Sequence, residues 1–90
     1  MAFQATLVST NAFAVTPSDT TVIDAVCFYV GSTGDVAVMP KWQEGVAARG
    51  GTPTPVTYKA VPAGVEIWLN ICRVMETNTT ASEIVCKSSI

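Results

Sequence analysis

The chain has 90 residues, a formal net charge of −2, and 13% charged against 49% hydrophobic residues. That length makes one domain and excludes two, and the five bases, Lys41, Arg49, Lys59, Arg73 and Lys87, stand singly, which argues against a nucleic-acid partner. There is no histidine, so Ser-His and Cys-His nucleophile pairs and the usual zinc sites are excluded; the carboxylates fall in no paired motif, and neither an enzyme nor a cofactor is expected.

The opening MAFQATLVST has no basic stretch and no sustained apolar run. Neither a signal peptide nor a membrane span is expected, and assembly in a cytoplasm follows as the reading. Residues 1–16 read as an N-terminal arm with one or two short strands within Phe3 to Thr10 and Phe13 to Thr16, closed by Pro17, which fixes φ and removes a donor. Asp24 to Val30 (DAVCFYV) is a strand, GSTGD over 31–35 supplies turn residues, and Val36 to Met39 resumes the pattern, so a β-hairpin is expected here. Residues 40–54 (PKWQEGVAARGGTPT) break the strand pattern as a long excursion. Lys41 to Arg49 has room for a helical turn or two, although Gly45 and Gly50-Gly51 weaken it.

Pro55 to Val61 places Val56, Tyr58 and Ala60 on one face of a strand, and Val61-Pro62-Ala63-Gly64 fits a type I turn. Val65 to Val74 (VEIWLNICRV) is the longest strand, with Val65, Ile67, Leu69 and Ile71 facing the core; Trp68, on the opposite, mixed face, is either a second-layer core residue or part of an interface. Asn78 suits a left-handed turn position, and Glu83 to Lys87 is the last strand. Runs rich in β-branched residues with turn signals every eight to fifteen positions define an all-β fold. A small antiparallel β-sandwich or barrel of about six to eight short strands is expected. Cys27, Cys72 and Cys86 each sit in an apolar strand and read as buried free thiols.

Three motifs lose their functional reading on inspection. GSTGD precedes a strand, not the helix a phosphate cradle needs. The single RGG at 49–51 lacks the aromatic neighbours of an RNA-binding repeat, and Asn78-Thr79-Thr80 reads as a turn.

The order Phe13-Ala14-Val15-Thr16-Pro17-Ser18-Asp19-Thr20, Phe28 to Val38 (FYVGSTGDVAV), Val61-Pro62-Ala63-Gly64 and Cys72-Arg73-Val74 resembles the spike base proteins of tailed phages and gene transfer agents. That family has a "vTPSD" start, a "yVGtaGdv" segment, a "vpaG" turn, a strand ending in "rV" and a "tGTtA" turn before the last strand. The likeness runs from Phe13 to Cys86 outside the excursion. Asn78 stands where the family pattern has Gly, and the excursion is longer than the family's norm.

The resemblance implies a non-enzymatic virion protein on the outer surface of a phage capsid, a head decoration or cement protein or the base of a head spike. Its implied partners are further copies of itself (a trimer or a pentamer), the major capsid protein, and a spike or fibre protein. A neck, tail or baseplate component, or a host-glycan-binding adsorption module, is the alternative. Low charge also fits a surface partly covered by partners, because interface cores are depleted of charge. Phe3, Phe13, Trp42, Arg49 and Trp68 are the candidate interface residues, since aromatic and Arg side chains dominate interface energetics.

Overall fold

Six strands and one short helix form between residues 11 and 88, the residues that a computed structural model of the chain describes. They are β1 (Ala12–Val15), β2 (Ala25–Ser32), β3 (Gly34–Pro40), α1 (Gln43–Ala48), β4 (Val56–Val61), β5 (Val65–Val74) and β6 (Ser82–Lys87). All six strands join one antiparallel sheet in the order β1-β6-β2-β5-β3-β4. The expected all-β antiparallel class is therefore observed. The part of the arm that falls within the described residues supplies β1; Phe3 and the strand expected over Phe3 to Thr10 lie outside them.

The sheet curls strongly. Phe28 on β2 and Tyr58 on β4 are three strand steps apart, roughly 14 Å in a flat sheet at about 4.8 Å per step. Their rings nonetheless meet edge to face with centroids 5.8 Å apart. The concave face thus closes on itself around Phe28, Val30, Val36, Val38, Ile71 and Ile84, all essentially removed from water. Each such side chain contributes roughly 1.5–3 kcal/mol of transfer free energy.

The hairpin expected around GSTGD does not form. β5 stands between β2 and β3 in the sheet and is antiparallel to both, so β2 and β3 run in the same sense against it. The chain carries on across the molecule and does not reverse. Gly34 is needed at this crossing because a Cβ there would sit 2.6 Å from the Ala81 nitrogen. The turn after β4 is also shifted by one residue. Val65 N–H donates to the Pro62 carbonyl, which makes Gly64 its third residue, with φ of +90° where a type II turn takes glycine.

On β4, Tyr58 and Val61 pack on the core, but Ala60 is exposed with φ of 51°, contrary to the alternation read from the sequence. The cause is a bulge. Gly34 pairs with Val61 and Val36 with Tyr58, which leaves one extra residue on β4. On β5 the expected face holds: Val65, Ile67 and Leu69 pack against the core and Ile71 is part of it. Asn78 takes the expected left-handed conformation, with φ of 71°.

Side-chain sutures close the places where the ladder stops. Asp19 accepts from Glu76 N–H at 2.8 Å, Thr77 N–H at 2.9 Å and the Thr77 hydroxyl at 2.6 Å, tying the TPSD segment to the turn before β6. Asp35 accepts from Ala60 N–H at 2.8 Å and stands 3.4 Å from the Lys59 ammonium. Its N–H donates to Thr80 Oγ1, and Ala37 N–H donates to Thr79 Oγ1. The turn motifs noted in the sequence are therefore clasps between segments distant in the chain.

Candidate interaction surfaces

The excursion after β3 is ordered by its own contacts. Lys41 N–H donates to the Asn70 carbonyl, Thr54 N–H to Gln43 Oε1, and Gly51 N–H to the Val46 carbonyl that ends α1. The Lys41 ammonium lies 3.5 Å from Asp24 and 3.8 Å from Glu44. This frame presents Trp42, 70% exposed, at the head of α1, with the Arg49 guanidinium 5.6 Å from its ring centroid. Both residues singled out from the excursion are thus brought together. A cation over an indole face contributes roughly 0.5–1 kcal/mol at an exposed site, and it holds both side chains in one orientation.

A second surface lies on the convex side of β2, β5 and β6. Trp68 is 58% exposed there, and the Lys87 ammonium stands 5.7 Å from its ring centroid and 2.7 Å from Glu66. The hydrogen bond to Glu66 raises the Lys87 pKa above its ordinary value. Tyr29, opposite Glu66 in the ladder, is partly exposed beside them. Cys27 pairs with Trp68 on one side and Lys87 on the other, and it is fully buried.

Phe13 sits on β1, half-buried and packed against the core, so it contributes there as much as at the surface. Phe3 lies outside the described residues. Sequence reasoning passed over Val22, which is 59% exposed. Two adjacent apolar residues, Val22 and Ile23, in the otherwise polar run PSDTTVID were the available signal, since neighbours in an extended segment point to opposite sides and only Ile23 packs on the core. The chemical content of both surfaces is stacking and hydrogen bonding. All three thiols are free and buried, and burial pushes Cys86 up to about 12 and raises Cys27 and Cys72. Among the described residues no group of three or more His, Cys, Asp or Glu side chains gathers as a metal site.

The sheet has two open edges. β4 shields its own with Pro55 before it and with the Lys59–Asp35 pair, and β1 presents only four residues before Pro17. Charge, proline and shortness are the usual protections of an edge against uncontrolled pairing.

No protein-family profile matches the chain, and no curated protein matches it. A solved structure does. The chain is similar to one in "Capsid of native GTA particle computed with C5 symmetry", with a TM-score of 0.72 and 22% sequence identity. The similarity covers 97% of this chain and 92% of that one. At this identity the likeness is one of fold.

Proposed function

We propose that the protein is a structural component on the outer surface of a phage-like capsid, a head decoration or cement protein or the base of a head spike. The observation that carries this reading is the near end-to-end likeness of fold to a chain from a GTA capsid. The resemblance of the motif order from Phe13 to Cys86 to spike base proteins supports it independently. In this reading further copies of the chain, the major capsid protein and a spike or fibre protein are the partners. Trp42, held by Arg49, and Trp68 are the anchors, because large exposed rings make interface hot spots; Phe3 and Phe13 are proposed beside them as aromatic residues of the arm.

Cryo-microscopy of purified particles with and without the gene tests the reading. Density for the domain on the outside of the shell, lost in the deletion, is the expected result. Density confined to the neck or tail would overturn a head position, and particles that never contain the chain would overturn the whole reading. Heating or osmotic shock of the two particle types then separates a cement role, in which the deletion weakens the shell, from a spike base, in which it removes a fibre and leaves the shell intact.

A further inference from the structure

We propose that the cleft between α1 and the β3–β5 ladder binds a carboxylate, the side chain of an exposed Asp or Glu on a partner polypeptide. The cleft has a volume of about 170 Å³. A cavity of about 150 Å³ admits a benzene ring, so there is room for a carboxyl group and its methylene stem. Arg73 on β5 lines it, together with Gln43 and Glu44 of α1. Met39, Ala47 and Pro53 supply apolar wall.

Arg73 carries the argument. Its Nε is buried and has no hydrogen-bond acceptor. Among the described residues Arg73 also makes no ion pair, whereas Lys41, Lys59 and Lys87 each face a carboxylate. A buried donor left unpaired is costly, and a guanidinium has a fork geometry that fits a carboxylate with two parallel hydrogen bonds. Arg73 thus brings to the cleft a guanidinium that no carboxylate of the described residues pairs, with one of its donors shut off from any acceptor.

The surroundings narrow the ligand. Glu44 lines the same cleft and is already shared with Lys41, so a phosphate dianion would meet a carboxylate at close range. A singly charged, planar acceptor with an apolar stem meets about half the repulsion that a dianion would. The groups that line the cleft are not a catalytic set: the Cys72 thiol there is raised above its ordinary pKa by burial and donates to the Met39 carbonyl. The cleft also adjoins the exposed Trp42, because α1 forms its wall and Trp42 immediately precedes α1. An acidic residue seated on Arg73 would lay its neighbours against that indole, which is why the occupant is a polypeptide side chain. The inference stands on the cleft alone and does not require the capsid reading.

Titration of the isotopically labelled full chain, observed at the Arg73 Nε–Hε resonance, tests it. The probes are acetate, a glutamate blocked at both ends, inorganic phosphate and chloride. A saturable shift with acetate and with blocked glutamate, and none of comparable size with phosphate or chloride, is expected. Arg73→Gln should weaken binding by about tenfold or more. Ala47→Glu, at an exposed helix position lining the cleft, should supply a carboxylate from within the chain and abolish the response, which keeps the test open if Arg73→Gln does not fold. No saturable shift, an equal response to phosphate, or binding retained in Ala47→Glu overturns the proposal. A response to acetate but not to blocked glutamate overturns the polypeptide as its source.

Discussion

Asp19 and Asp35 show how much of this fold hangs on single side chains. The Asp19 carboxylate lies below its ordinary pKa of 3.8, chiefly through the Thr77 hydroxyl and then Thr77 N–H; the Ala60 N–H does the same for Asp35. A carboxylate depressed in the folded state stabilises that state fully above its unfolded pKa, and the contribution fades as pH falls through the folded value. Asp19→Asn should therefore lower the urea midpoint near neutral pH and flatten the loss of stability on acidification below about pH 4, as equilibrium unfolding at a series of pH values will show. The thiols give a second test at this scale. With Cys86 pushed to about 12 and all three cysteines buried, the folded chain should react negligibly with a thiol reagent at neutral pH. In denaturant all three should titrate.

At the scale of elements, the crossing from β2 to β3 is where the sequence misleads. Two apolar runs about a glycine-containing loop have the local chemistry of a hairpin, and nothing within residues 24–39 tells that both strands pair with β5 instead. The long-range partner decides. Gly34 in fact serves close approach to the backbone of Thr80 and Ala81, not chain reversal. Gly34→Ala should accordingly destabilise by about 1–3 kcal/mol, read from the urea midpoint, because backbone and not a flexible side chain must give way. The alternation of β5 was legible from Val65 to Ile71, where Val65, Ile67, Leu69 and Ile71 meet the core as a period of two requires; past Ile71 an extra residue against β3 shifts the period, and Val74 and not Arg73 joins the core. On β4 it failed at Ala60, because a bulge leaves no periodic mark in the sequence.

For the whole molecule, β3 and β4 are the only strands consecutive in sequence that pair, among the described residues; every other ladder joins distant segments. Non-local pairing requires loop closure before contacts can form, so folding should be slow for this size, in milliseconds to seconds by stopped-flow tryptophan fluorescence. Phe28→Ala, at the meeting point of the curled sheet, should cost about 3–5 kcal/mol. The all-β class was readable from period and composition; of Trp68 only its place opposite the core face of β5 was, and that its ring is exposed was not. The Arg73 cleft was not, because its walls come from β3, α1 and β5 and only the curled sheet assembles them. A last consequence follows from the pairing of β1 with β6, where Ser88 N–H donates to the Asn11 carbonyl at 3.0 Å. Residues 11 and 88 sit side by side, so the chain can be closed there by a short peptide and reopened at Gly50-Gly51. Such a circular permutant would keep every strand neighbour while turning β6–β1 into a local hairpin and making β3–β4 the most distant pair.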